Sequence, residues 1–530
     1  MWVEADPRFG VTIHCKRLPA VGIAMSLQAL LAYPIAELRT QRLPELFESI
    51  DQAEEDDMPL ITALVDRAFE GDDGLAVLRT PEVQHAICGT ALAHADTAVR
   101  CFTLVLCKRL TSSPPDVRIL CESGVLPAIA GLVGDSSLAV ADKATQVFVA
   151  CAESPDCLRA ALEHTQTRER LLALLAPGPA GGLPTVGLRT LAMFGAMAGL
   201  GEEQYSLCEA CGAFAPALAA WNGDDELVRL NALEIFPLLA RHKRGMEWLR
   251  GHGVLAGLVA LVVGSDADGD GVMVTLALPS VLHCLASLLE YGDDETAEAV
   301  LGADGLLLRA VWPRVEPSAG HANGARDASL ALVRAAACTR RGLLLVLGQL
   351  AEQGGAGCVG KQLKSSDQRA KVSALGVVAQ LCSSSARYAA DADVARAQPT
   401  LRALVAAVSP RESTAAADAL ATLVALPTFE VRVAALRLLL ALAQAEWGAL
   451  LLANSEAVLD FLMHSGLIQL TPDELRDKHA LAGSLLKWPS VVGALGAGSG
   501  TVRHLQAYAD AGPFAYLPRA GPQVMGPLTL

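Results

Sequence analysis

The sequence predicts an all-α fold, an armadillo/HEAT-like helical-repeat solenoid. Three observations carry that prediction. The hydrophobic fraction is 52% while aromatics make up only 4%, so the apolar bulk is Ala, Leu and Val arranged in helix-like stretches. A short pattern returns at intervals of a little over forty residues. A glycine turn repeatedly precedes a short apolar segment.

The pattern is an apolar residue followed four and five positions later by a small or aliphatic pair. It occurs as VRCFTL from Val99, VADKAT from Val140, VGLRTL from Val186 and VRLNAL from Val228, at steps of 41, 46 and 42 residues. A looser copy, LALPSV, starts at Leu276, and later copies start at Ala370 (AKVSAL) and Val431 (VRVAAL). The gap of 94 residues before Ala370 leaves room for two units, and the gap of 61 before Val431 predicts an insertion. Such periods are those of HEAT and armadillo units of two or three helices. In ESGVLPAIAGLV (122–133) and GHGVLAGLVALVV (251–263) a glycine ends one helix and lets the next begin. Leu227, Leu230, Leu233 and Leu238 recur near helical spacing. A face that broad must be buried by stacking neighbouring units into one core.

Punctuation by Pro and Gly marks the turns: TSSPPD (111–116), APGPAGGLP (176–184), GSDADGDG (264–271) and PRVEPSAGHANGARD (313–327), the last read as an insertion. The periodic pattern resumes after each. Residues 25–520 are therefore expected to form a single armadillo/HEAT-like solenoid. Residues 1–24 are an N-terminal extension expected to be disordered, and 521–530 a C-terminal tail. In the extension, Lys16-Arg17 and the uncharged run 18–36 loosely resemble a secretory signal. Pro19, Gln28 and Pro34 interrupt the run, no A-x-A site follows, and Met25 heads the first helical stretch.

Charge excludes several functions. The formal net charge is −15 and no block is dense in Lys and Arg. Nucleic-acid binding rests on phosphate neutralisation, so that partner class is not expected, and neither is an anionic membrane surface. Mean hydropathy is high, +0.37. The uncharged run 272–289 approaches the length of a membrane span, but Pro279, Ser280, His283 and Ser287 break it and no aromatic belt frames it. It reads as a helix sandwiched between others. The 13 scattered cysteines fit a reducing, cytoplasmic and nuclear setting better than a disulfide scaffold. Cys208-Glu-Ala-Cys211 lacks the second ligand pair of a zinc site.

Two stretches imitate ligand-binding motifs. Asp266, Asp268, Asp270 and Gly271 match the start of a calcium loop, but Ala277 stands where the closing bidentate Glu belongs. Gly355, Gly360 and Lys361 match the spacing of a phosphate-binding loop. Gln362 replaces the magnesium-ligating hydroxyl, and the preceding RRGLLLVLGQLAEQ reads as a helix rather than the required strand. Gly354 and Gly355 are read as that helix's cap, and the stretch as a turn. No H-E-x-x-H or G-x-S-x-G is present. His85, His94 and His283 are isolated, and Glu54-Glu55-Asp56-Asp57 reads as a solvated face. No catalytic, cofactor-binding or metal-binding residue is expected, and no cofactor.

The C-terminal quarter carries a more specific signal. Ala434-Ala435-Leu436, Trp447, Asn454-Ser455, Lys478 and the closing Tyr508 with Gly512-Pro513-Phe514 resemble the 26S proteasome non-ATPase regulatory subunit 5 family. Gly360-Lys361-Gln362 resembles a turn of that family, and weaker similarity reaches back through LPELFESI (43–50) and 119–133. The resemblance implies a non-enzymatic chaperone of proteasome base assembly. Such a protein binds an ATPase subunit near its C-terminal domain before the ring is complete, and leaves the mature particle. It implies a monomer in isolation whose partners are proteasomal ATPase subunits and assembly intermediates; contact residues are not assigned by it. The alternative is a generic armadillo-type interaction scaffold or ubiquitin-ligase adaptor. A nuclear-import adaptor is disfavoured, because Trp-x-x-x-Asn arrays are absent: Asp225, His252, Glu316, Leu451 and Val492 stand where Asn would.

Overall fold

The computed structural model describes residues 2–6, 10–14, a few positions between 30 and 69, and residues 71–514 apart from 177–184, 224–225, 265–271, 317–322, 353–354, 410–414 and 464–469. The calcium-loop lookalike, the acidic run 54–57, LPELFESI and the tail 521–530 lie outside the described residues. Two compact units partition the chain, residues 1–248 and 249–530.

Both units are helical repeats built from one long helix and two short ones. In the first, the long helices are Thr97–Lys108, Leu138–Ala152 and Thr185–Ala198, followed by the broken pair Glu226–Leu233 and Phe236–Leu239. Each packs against the next. In the second, Val272–Tyr291, Asn323–Ala336, Gln368–Arg387, Phe429–Ala443 and Pro472–Leu486 stack in the same way. Short helices follow the same rule: Pro114–Glu122 packs on Pro155–Glu163, and Val254–Gly264 on Leu306–Val315. Within each unit these helices meet the helix holding the same place one repeat later, which is the armadillo-like arrangement.

The recurring pattern marks the start of the long helices. Val99, Val140, Val186, Val228, Leu276, Ala370 and Val431 all lie in their first two turns. Asn323–Ala336 fills the gap before Ala370. Among the described residues the gap before Val431 holds no extra helix: Gln368–Arg387 and Ala392–Ala406 are 20 and 15 residues long, and this lengthening supplies most of the expected insertion. The insertion read at 313–327 is also smaller than expected. Leu306–Val315 runs through Pro313, and the next helix starts at Asn323.

Local chemistry explains the boundaries. Gly124 and Gly253 hold φ of +79° and +73°, a left-handed conformation that costs a glycine little and other residues much. They turn the chain into Val125–Leu132 and Val254–Gly264, as read from sequence. Pro114 and Pro155 occupy first helical positions, where the missing N–H has no partner to lose. Asp96, Asp293, Asp367 and Asp391 accept the first free N–H groups of the helices they precede.

The core follows the helical period. In Leu138–Ala152, Val140, Ala144, Val147, Phe148 and Cys151 are buried while Asp142 and Gln146 are exposed. The scarce aromatics cluster in the first unit: Tyr205 stacks on Phe214 at 5.4 Å, Phe214 meets Trp248 edge-on at 6.1 Å, and Trp221 meets Phe236 at 5.7 Å. The apolar run at 272–289 is a helix whose residues from Leu278 onward are mostly buried, and among the described residues no single helix is long and apolar enough to cross a membrane. Trp2–Asp6 and Gly10–His14 pair antiparallel within the N-terminal extension. Their Val, Thr and Ile content suits a strand.

One constraint escaped the sequence reading. A Cβ on Gly342 would lie 2.0 Å from the Ala336 carbonyl oxygen, and one on Gly448 would lie 2.3 Å from that of Leu442. Both glycines sit at the third position of a short helix that follows a long one. The turn there is too tight for a side chain.

Candidate functional site

The stretch that imitates a phosphate loop is a helix, Gly355–Leu363. This corrects its reading as a turn: Gly355 opens the new helix rather than capping the previous one. From Val359 onward the backbone N–H groups are spent inside this helix, so Gly360 and Lys361 do not sit in the open loop that wraps a phosphate. The side chains are committed too. Lys361 Nζ lies 2.8 Å from Glu316 Oε1, and Gln362, fully buried, donates through Nε2 to the Val315 carbonyl at 2.6 Å. Arg314 does the same one repeat earlier, donating from Nη2 to the Val262 carbonyl at 3.1 Å. Gln362 is therefore a structural link between repeats.

The thiols and imidazoles are placed for packing. All twelve cysteines among the described residues are free, and Cys107, Cys121, Cys151, Cys157, Cys208, Cys284, Cys358 and Cys382 are buried. Burial pushes the Cys107 thiol up to about 12 and that of Cys121 to about 11. It raises Cys208 and Cys211 as well, the reverse of what a reactive or metal-binding pair needs. Among the described residues no three His, Cys, Asp or Glu side chains are grouped to hold a metal. His85 and His283 are exposed, and His94 Nδ1 accepts from the Asp96 N–H at 3.0 Å.

The C-terminal landmarks separate into packing residues and surface residues. Ala434 and Ala435 are buried in Phe429–Ala443. Ser455 is buried, accepts the Val458 N–H at 3.2 Å and bonds to Asp418. Lys478 is 4% exposed, with Nζ 5.1 Å from the Phe461 ring centroid and 5.7 Å from that of Tyr508. Burial lowers its pKa to about 8. Trp447 is only half-buried, with the Arg402 guanidinium 5.2 Å above its ring. Phe514 is 61% exposed beside Arg476.

A ladder of polar contacts links successive repeats along the first short helices. In the first unit Arg79 binds Asp116 through two bonds of 2.6 and 2.8 Å, Arg159 pairs with Glu203, and Arg244 reaches Ser206. In the second, Arg250 pairs with Glu295 and Arg340 with Asp391, while the Arg341 N–H donates to Asp294 at 2.7 Å. Trp488 Nε1 donates to the Ala443 carbonyl at 3.0 Å. The most buried pair is Arg432 with Glu474, whose side chains are 7% and 2% exposed. Acidic side chains that serve as rungs are not available to a partner.

Comparison with known proteins settles what these repeats belong to. The profile of the family described as proteasome non-ATPase 26S subunit matches residues 16–292. The chain belongs to that family. Three curated proteins named 26S proteasome non-ATPase regulatory subunit 5 are similar to it. The one from Bos taurus is 24% identical over 249 residues, 46% of this chain and 48% of that protein. Those from Homo sapiens and Mus musculus are 24% identical over 242 residues, 45% of this chain and 46% of each. The chain thus spans about half the length of the curated relatives it matches. The family match lies in the first 292 residues, so the C-terminal landmarks fall outside the matched range. Among solved structures, an engineered protein aligns at TM-score 0.41 and 14% identity, covering 87% of this chain and 98% of its own. A designed armadillo repeat protein in complex with the peptide (KR)4 aligns at 0.37 and 14%, covering 51% and 98%.

Proposed function

We propose that this member of the proteasome non-ATPase 26S subunit family is a chaperone of regulatory-particle base assembly. It binds an ATPase subunit before the ring is complete and is released from the mature particle. The match of residues 16–292 to the family carries the reading. The repeats support it, since stacked helical units offer an extended surface for a protein partner. Commitment of Lys361 and Gln362 to inter-repeat bonds supports a non-catalytic role. A monomer acting in the cytoplasm and nucleus completes the reading. The test is affinity capture of the tagged full chain from cells, with assembly intermediates and mature proteasomes separated on a native gel. ATPase subunits should be recovered in intermediates. Recovery only with mature particles, or without any ATPase subunit, would overturn the reading.

A further inference from the structure

We infer that the turn between Gly355–Leu363 and Gln368–Arg387 is a contact site for a short acidic segment of a partner protein. For the identity of that partner the inference rests on the reading above; for the site itself it does not.

Residues 361–371, KQLKSSDQRAK, hold four cations and one acid in a chain with 57 acidic and 42 basic residues. The acids within reach are already used. Asp367 caps the Arg369 and Ala370 N–H groups and accepts from Arg326 Nη2 at 2.5 Å. Glu316 is occupied by Lys361 at 2.8 Å and by the Cys358 thiol at 3.5 Å. Lys364 and Arg369 are exposed and Lys371 is half-buried, and no acidic side chain among the described residues pairs with any of the three. Three cations without an acidic partner therefore surround this turn on an acidic protein.

The corresponding stretches of sequence at the other long helices are acidic or carry little charge. They hold Asp135, then Asp224, Asp225 and Glu226, then Asp266, Asp268 and Asp270, then Glu430 and Asp473. This contrast selects the occupant. A long polyanion such as a nucleic acid needs many neutralised phosphates and would be repelled beyond this turn. An acidic peptide segment short enough to stay on one turn gains the attraction alone. With no large apolar side chain exposed in the turn, the contact is electrostatic and sensitive to salt.

The probe is a fluorescein-labelled Glu/Asp peptide of about ten residues, followed by anisotropy against the full chain at low and high salt. Lys364→Glu/Arg369→Glu/Lys371→Glu should weaken binding by about tenfold or more, as high salt should. The control Arg309→Glu/Lys487→Glu/Arg503→Glu, at exposed cations of the same unit, should leave it within about twofold, with both variants retaining the helical circular dichroism of the parent. Absence of peptide binding, equal binding by the 364/369/371 variant, or tighter binding of single-stranded RNA of matched length would overturn the inference. In cell capture, loss of ATPase subunits from the 364/369/371 variant but not from the control would identify the partner as proteasomal. Should the parent capture no ATPase subunit while peptide binding still depends on this turn, the site stands and the assembly reading falls.

Discussion

Breaking the buried Arg432–Glu474 pair should loosen the last repeats more than any surface change. Arg432 Nε lies 2.5 Å from Glu474 Oε1 and Nη2 3.3 Å from Oε2, while Nη1 donates to the Leu426 carbonyl at 3.3 Å. Glu474 also accepts the Thr471 N–H at 2.8 Å, closing a capping box at the start of Pro472–Leu486. Arg432→Ala leaves a buried carboxylate with one N–H donor, which should cost about 3 kcal/mol, the low end for an orphaned buried charge. Glu474→Ala strands the guanidinium and removes the cap as well, so about 4 kcal/mol is expected. Replacing both with Leu should cost less than either single change, because no charge is left unpaired. Repeat arrays can unfold in parts, so the readout is native-state hydrogen exchange by mass spectrometry on peptides covering 429–443 and 472–486. Burial alone would raise the Glu474 pKa, but bonds from Arg432 and Thr471 outweigh it and hold it below the ordinary glutamate value. The contribution is therefore complete above that ordinary value and fades as pH falls through the lowered one. Single changes costing under about 1 kcal/mol, or a double variant costing as much as both singles combined, would refute the reasoning.

Other outcomes follow from the same geometry. Gly342→Ala should destabilise by about 1–3 kcal/mol by opening the turn at Ala336, whereas Gly348→Ala, in the same helix with nothing near its Cβ, should stabilise by about 0.5–1 kcal/mol; thermal melts compare the two. Trp447→Ala should cost well under the ~3–5 kcal/mol of a fully buried aromatic, and Arg402→Ala about 0.5–1 kcal/mol through the lost ring contact, both read by the same exchange experiment. Lys361→Ala should leave the melting temperature unchanged, and calorimetry should detect no ATP binding by the parent chain. The unfolded chain holds the Lys478 proton to higher pH than the folded one, so local stability at 472–511 should rise from about pH 8 towards the ordinary lysine value, a slope that Lys478→Met should abolish.

Much of the repeat architecture was legible because burial repeats with the helical period. Val99, Val140, Val186 and Val431 must enter the stack at the same place, so the same small and aliphatic neighbours recur. Gly124 and Gly253 were legible for a similar reason: few other residues fit a left-handed turn before an apolar helix. Gly342 and Gly448 were not, since a clash with a carbonyl six residues upstream exists only once the helices are packed. The helix at Gly355–Leu363 was misread because Gly355, Gly357 and Gly360 lower its intrinsic propensity, while buried Val359, Gln362 and Leu363 supply what propensity lacks. Trp447 lies in an apolar run, and sequence does not reveal that it stays half-exposed under Arg402. The basic turn at 361–371 was hidden by the net charge of the whole chain, which says nothing about which acids are already bound.

The ladder of contacts between neighbouring short helices has a consequence for how such a chain comes apart. Each rung joins one repeat only to the next, so within a unit mechanical or thermal opening has no distant tie to break. An end repeat can detach and re-form while the interior stays closed, and the free energy of opening grows with each rung crossed, as in a one-dimensional chain of coupled sites. Selection can then adjust the grip of one repeat by altering a single arginine, such as Arg250 or Arg340, without disturbing the others. Removal of a whole repeat would leave an arginine and a carboxylate still facing each other wherever the new neighbours carry the same rung.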